Sequence, residues 1–315
     1  MRRELLDYLW CINCGEGGFV ISTETMVENE HVMEGQLKCD NCGKVFSISG
    51  GVPRFITSDC VSKKDLSVGE AYGTFFRKSD SIFGKGKLYG YTIEEEVPDF
   101  YQKTGLKCEF LKDKVFLDAG CGIGRLTNEL SDECKTMIGV DITPAVDDAF
   151  QVTRIQSNVH IVQADLLNIP LKKCVFDIVW CDGALPYVSD FAKGLLSLIG
   201  MRKEKGFLFT WCYKDRKASI LGPERIGQKA HWIPISIRFN MLLLIVFVTR
   251  LLLSVKNQQN FMRGFRSIAT MAFDFSLAEN VNHVSFSEVE SILRKSGVKE
   301  VNILETQSIT NITIG

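Results

Sequence analysis

From residue 114 onward the chain alternates short apolar runs with amphipathic stretches. Residues 115–118, 136–141, 159–163, 176–181 and 206–213 read as strands, and helix-like segments fall between them. That alternation is the pattern of a parallel sheet covered by helices. One helix is expected to open at Thr143-Pro144, where Thr suits the N-cap and Pro the first helical position. A second is expected over 191–201. Near the end, Ser285-Phe-Ser-Glu288 has the capping-box pattern of a helix over 289–295, which Gly297 stops. Two last strands, 299–304 and 309–314, predict an antiparallel hairpin or edge pair.

The earlier part of the chain follows other patterns. Residues 1–57 hold two Cys-x-x-Cys pairs among short β-like runs, and 58–113 are polar with helical stretches such as 93–105. Residues 114–315 form the α/β unit, interrupted over 214–282 by an insertion that the alternation does not require. The insertion carries an apolar run, 241–253, beside Arg238 and Arg250. About a dozen residues fall short of the roughly 20 needed to cross a bilayer. A helix packed on the rest of the protein is the plainer reading; peripheral membrane contact through 238–253, or a seat for a lipid chain, is the other.

Composition narrows the class. With 315 residues, 45% apolar and 24% charged, the chain is an ordinary globular protein with room for one sizeable core and a smaller module. A net charge of −1 offers no global positive field, which counts against nucleic acid as a partner. The start, Met-Arg-Arg-Glu-Leu-Leu-Asp, does not read as a secretory signal, so a reducing cytoplasm is expected. In that setting the clustered members of the eleven cysteines are metal ligands before they are disulfides.

Chemistry centres on Val115-Phe-Leu-Asp118-Ala-Gly120-Cys121-Gly122-Ile-Gly124-Arg125. A dinucleotide turn requires Gly-x-Gly-x-x-Gly, but here the third glycine comes one residue early and Arg125 takes its place. Asp118 would also repel a pyrophosphate, whereas it would attract an ammonium group. Both features suit S-adenosylmethionine. The stretch resembles the first motif of the class I S-adenosylmethionine-dependent methyltransferases, in which an acidic residue precedes Gly-x-Gly-x-Gly.

The resemblance extends downstream. It implies a Rossmann-like seven-stranded sheet, mostly parallel with an antiparallel last strand, and helices on both faces. Asp118, Gly120, Cys121, Gly122 and Gly124 would hold the methionine part. Asp141, with Ile142 beside it, would take the ribose hydroxyls, and Asp165 with Leu166 the adenine. Phe176-Asp-Ile-Val179 would be the fourth strand, leading to Asp182 and Gly183 beside the methyl donor.

Cys11-Ile-Asn-Cys14 and Cys39-Asp-Asn-Cys42 have the spacing of a four-cysteine zinc knuckle. Four thiolates leave no open position, so this zinc would be structural, and in so small a module it would supply folding energy. With Phe46-Ser-Ile-Ser-Gly-Gly-Val-Pro-Arg-Phe55, the segment resembles the zinc-ribbon activator protein that partners eukaryotic tRNA and release-factor methyltransferases. Lys103-Thr-Gly-Leu106 resembles fused versions of that pair, which implies that Tyr72 in Ala71-Tyr-Gly73 lies near the cofactor. The other cysteines read as small core residues.

Methyl transfer is an in-line displacement that depends on orientation and exclusion of water, with a general base where the acceptor is a hydroxyl of high pKa. Where relatives place a histidine after the fourth strand, this chain has Tyr187. Asp182, Tyr187 and His231 are therefore the candidate catalytic residues, and the insertion is expected to act as a lid. The preferred acceptor is a small molecule, or a glycan or lipid precursor. An RNA or protein acceptor presented by the ribbon, and a non-catalytic binding module on the same scaffold, are the alternatives. Oligomeric state is left open.

Overall fold

The computed structural model describes residues 1–57, 59, 61–83, 88, 92–214, 281–298, 301–305 and 309–315, with isolated positions between 215 and 280. His231, Cys60 and most of the apolar run 241–253 lie outside the described residues.

Strands β5 (Val115–Ala119), β6 (Thr136–Asp141), β7 (Val159–Gln163) and β8 (Phe176–Cys181) are apolar almost throughout and buried on both faces. That is the signature of parallel strands covered on each side. They pair in the order β7-β6-β5-β8, followed by β9 (Arg202–Lys214), β12 (Ile309–Ile314) and β11 (Val301–Glu305). Only β12 runs antiparallel to this set, paired with β9 on one side and β11 on the other. The chain thus starts in the middle, winds outward through β6 and β7, and returns to β8. This places a topological switch point at the C-terminal ends of β5 and β8, where α/β sheets of this kind take ligands.

Three expectations change. Strand β9 begins at Arg202 rather than 206, because it follows helix α6 (Phe191–Met201) without a break. Helix α5 (Val146–Thr153) begins after Thr143-Pro144, whose threonine instead accepts a hydrogen bond from the Ala145 amide at 3.3 Å. The seven-stranded sheet expected is a twelve-stranded one among the described residues, because it takes in the N-terminal ribbon. The ribbon's strands β1 (Phe19–Glu28), β2 (His31–Cys39), β3 (Val45–Ser49) and β4 (Val52–Arg54) continue the central sheet, because β4 pairs in parallel with β7 through Arg54 and Gln163.

The shared sheet carries a shared core. Leu5, Leu9, Phe19, Leu37, Phe46 and Phe55 of the ribbon belong to the same buried cluster as Leu117, Val162, Leu166 and Leu171. Phe55 stands 4.7 Å from Phe46 and 5.5 Å from Phe19, ring to ring. The ribbon therefore has a hydrophobic core beyond what its own residues could build. Cys108 and Cys174, read as core residues from the sequence, are exposed.

A continuous core predicts one cooperative transition. Phe55→Ala should cost about 3–5 kcal/mol, the usual cost of emptying a buried aromatic site. In urea titration, circular dichroism and tryptophan fluorescence should shift together. Separate transitions, with the major one unmoved, would show that the ribbon unfolds by itself.

A candidate cofactor pocket at the switch point

Four adjacent parallel strands each end on an aspartate: Asp165 beyond β7, Asp141 on β6, Asp118 on β5 and Asp182 beyond β8. They open into one cavity of about 510 Å³, within the range of small-molecule sites. The glycine turn forms its floor. Gly120 (φ 92°) and Gly124 (φ 75°) both adopt the left-handed conformation. A Cβ on Gly120 would lie 2.4 Å from the Ala184 Cβ, and one on Gly124 would lie 2.9 Å from the Ala149 Cα. The turn is thus close-packed as well as bent, and helix α4 (Arg125–Ser131) follows it.

Each carboxylate has its own surroundings. Asp118 is buried and accepts from the Thr127 hydroxyl at 2.6 Å; burial pushes its pKa up to about 7 despite that bond. Asp141 accepts from the Gly122 amide at 2.8 Å and the Thr143 amide at 2.7 Å, and burial raises its pKa as well. It thereby ties the end of β6 to the glycine turn. Asp165 accepts from the Leu167 amide through Oδ1 at 2.9 Å, while its Oδ2 is buried with no protein partner. Burial raises Asp165 to about 6. An orphaned carboxylate oxygen beside a cavity invites a ligand N–H.

Asp182 is engaged through both oxygens: Trp211 Nε1 donates to Oδ1 at 2.6 Å and Lys103 Nζ to Oδ2 at 2.8 Å. Lys103 also pairs with Asp99 at 2.7 Å. Burial works against its ammonium, yet the two carboxylates hold its pKa above the ordinary lysine value. These residues come from helix α2 (Ile93–Thr104), which also presents Glu96. Burial pushes Glu96 up to about 7, against the partial offset of Arg125 at 3.3 Å, with Asp182, Asp118 and Asp99 adding to the rise.

The opposite wall is aromatic. The Tyr187 and Tyr213 hydroxyls are 3.1 Å apart, Tyr72 packs on Tyr187 at 5.1 Å, and Trp211 lies 5.1 Å from Tyr213. Helix α1 (Lys63–Phe83) carries Tyr72. Its buried Asp65 accepts from the Ser189 amide at 2.7 Å and the Ser189 hydroxyl at 2.6 Å, which fixes the helix over the loop that follows β8. Cys121, Gly122, Ile142, Leu166 and Gly183 also line the cavity. Asp65, Glu96, Asp99, Trp211 and Tyr213 line it too, and no motif in the sequence had marked them for the site. Lys103 and Arg125, which end up on the same wall, stand at the edges of two quoted motifs, and the Lys103–Asp99 spacing of four was a further local hint.

At the far end of the ribbon, the four sulfurs of Cys11, Cys14, Cys39 and Cys42 lie within 4.8 Å of one another. Cys11–Cys42 and Cys14–Cys39 are both 3.8 Å apart. Tetrahedral ligands at about 2.3 Å from zinc would stand about 3.8 Å apart, so the cluster fits the ion. Asn13 donates to Cys42 Sγ at 3.4 Å and Asn41 to Cys14 Sγ at 3.6 Å, so each knuckle steadies a thiolate of the other.

Residues 117–210 match the family model described as a methyltransferase domain. The chain is 25% identical over 155 residues to sterol 4-C-methyltransferase strm-1 of Caenorhabditis elegans, covering 48% of this chain and 45% of that protein. It is 30% identical over 117 residues to malonyl-[acyl-carrier protein] O-methyltransferase of Enterobacter lignolyticus (strain SCF1), covering 36% and 46%. The chain thus spans less than half the length of each. Among solved structures, magnesium protoporphyrin IX methyltransferase of Synechocystis PCC 6803 with bound SAH aligns at a TM-score of 0.46 and 15% identity, over 80% of this chain and 100% of that one.

The raised pKa values carry a sign. A carboxyl whose pKa is higher folded than unfolded binds its proton more readily in the folded state, so its contribution to stability declines as pH rises from about 4 to about 7. Asp118→Asn removes that decline. The variant should therefore gain on wild type between about pH 4 and 7 and level off above, with a melting temperature a few °C higher. A constant difference across that range would place the Asp118 titration elsewhere.

Proposed function

We propose that this chain is an S-adenosylmethionine-dependent methyltransferase whose acceptor is a small molecule or a glycan or lipid precursor. The observation that carries the reading is the row of aspartates at four neighbouring strand ends, one with an unpartnered buried oxygen. Asp118 would face the methionine ammonium, Asp141 the ribose hydroxyls and Asp165 Oδ2 the adenine amino group. Gly120, Cys121, Gly122, Gly124, Ile142, Leu166, Gly183 and Tyr72 would enclose the rest. When bound, S-adenosylmethionine supplies a methyl group activated by a sulfonium.

This chain's residues have the remaining tasks. The aromatic wall of Tyr72, Tyr187, Trp211 and Tyr213 orients the acceptor and excludes water. Asp182, neutralised by Lys103 and held by Trp211, acts as an anchor between α2 and the sheet rather than as a base. Glu96, near 7 and outside the three cofactor contacts, is suited to take a proton at neutral pH. Seven Asp or Glu side chains line the cavity against one lysine and one arginine, which favours a neutral or cationic acceptor over a polyanion such as RNA.

Calorimetric titration with S-adenosylmethionine tests the reading. Wild type should bind, while Asp141→Ala and Asp165→Ala should each weaken binding at least about tenfold, the equivalent of 1.4 kcal/mol. Absence of binding by a folded wild type would overturn the assignment, and unchanged affinity in Asp141→Ala would overturn the ribose contact.

The four cysteines belong to the same proposal, as a structural zinc site of the activator-like ribbon. Elemental analysis should find one zinc per chain, and Cys14→Ser with Cys39→Ser should lose it and lower the melting temperature. Purified chain that is fully folded after exhaustive chelation would contradict a structural role.

A further inference from the structure

Beyond Asp182 the cavity has a second half, built differently from the row of aspartates. Strand β9 lies next to β8 with Thr210 opposite Cys181, so Trp211 stands level with Asp182 and Tyr213 two residues further on. Together with Tyr187 after β8 and Tyr72 of α1, these rings line the cavity. Each ring is turned across its neighbour. Tyr72 and Tyr187 meet at 63°, Tyr187 and Tyr213 at 80°, and Trp211 and Tyr213 at 89°, with centroids 5.1, 6.3 and 5.1 Å apart. In the core, by contrast, Trp180 and Phe209 stack at 19°. Parallel rings would leave a slot for a flat ligand. Rings set across one another around a single cavity make the walls of a box.

The box is fixed from outside. Trp211 Nε1 donates to Asp182 Oδ1 at 2.6 Å, which sets the plane of the indole. The Tyr187 and Tyr213 hydroxyls, 3.1 Å apart, hold each other. His283, on strand β10 (His283–Val284) beside Tyr213, packs on the Tyr213 ring at 5.6 Å and 36°. Walls ordered before a ligand arrives cost less to order on binding. An aromatic face is the negative end of the ring's quadrupole, so several faces around one space favour a cation over a neutral ligand of the same shape. A carboxylate acceptor would be repelled by them, and a hydroxyl would gain little. The two cations on the lining are engaged elsewhere: Lys103 with Asp99 and Asp182, and Arg125 with Glu96.

We propose that Tyr72, Tyr187, Tyr213 and Trp211 form a cage for an ammonium group, and that the acceptor is an amine methylated on nitrogen. The reaction rests on the methyltransferase reading above, whereas the cage itself does not. A bound ammonium gives its proton to the Glu96 carboxylate, which lines the same cavity. The freed nitrogen lone pair forms the new N–C bond as the methyl–sulfur bond breaks, with its electron pair going to sulfur. The methylated product is again an ammonium that the cage can hold.

Calorimetry of the full chain, with and without saturating S-adenosylhomocysteine, tests this with choline against its uncharged carbon isostere, neohexyl alcohol. Choline should bind at least about tenfold more tightly. Trp211→Leu and Tyr213→Leu should each remove most of that preference, while Tyr213→Phe, which keeps the ring, retains it. Melting curves confirm that each variant folds. Equal affinity for the two probes in protein that binds S-adenosylhomocysteine would overturn the cage. So would leucine variants that weaken S-adenosylmethionine about tenfold but not S-adenosylhomocysteine, because the caged cation would then be the sulfonium. A choline preference in a chain that binds neither adenosyl ligand would support the cage and overturn the methyl transfer assigned to it.

Discussion

Asp165, Asp141, Asp118 and Asp182 stand side by side because the strands that carry them do, and the sheet largely withholds water from the first three. Burying an ionised carboxylate is costly unless it is hydrogen-bonded or neutralised. The molecule meets that cost differently at each position: a threonine hydroxyl for Asp118, two backbone amides for Asp141, one amide for Asp165, and a lysine with an indole for Asp182. What is left uncompensated appears as raised pKa values and one orphaned oxygen. A cavity built this way suits a ligand that brings positive charge and N–H donors.

The rest of the architecture supports that row. Gln163, at the end of β7, accepts from Arg54 of the ribbon at 3.0 Å and donates to the Ile142 carbonyl at 3.0 Å. One side chain therefore links the ribbon's last strand to the loop after Asp141. The Phe55 amide adds a bond to the Gln163 carbonyl at 2.8 Å. From there the chain enters α1, which Asp65 pins across the cavity to Ser189. Ribbon, covering helix and strand ends form a single packed unit, and the four-cysteine cluster sits at its far edge.

Much of this was legible in the sequence, for a physical reason. Doubly buried strands such as 136–141, 159–163 and 176–181 must be apolar throughout, so their ends show as a change of composition. Turns that demand glycine, as at Gly120 and Gly124, also declare themselves. Strand β9 was misread because Arg202-Lys-Glu-Lys205 is polar, although it lies at the exposed end of a strand whose centre is buried. Thr143-Pro144 has the composition of a helix start, but Thr143 is occupied with Asp141 and the following turn. The Lys103–Asp182 pair was invisible because 79 residues separate its members and no local pattern encodes such a meeting. Nor did the cysteines of the ribbon reveal that its core would merge with that of the sheet.

On the proposed assignment, buried and partly protonated carboxylates receive a cationic adenosyl ligand. Calorimetry of S-adenosylmethionine binding at about pH 6.5, repeated in buffers of different ionisation enthalpy, tests it most directly. Positive charge arriving beside Asp118 and Glu96, both near 7 in the free protein, should lower their pKa values and expel protons. The account predicts net proton release, reduced in Asp118→Asn. Binding with no buffer dependence, or with proton uptake, would contradict it.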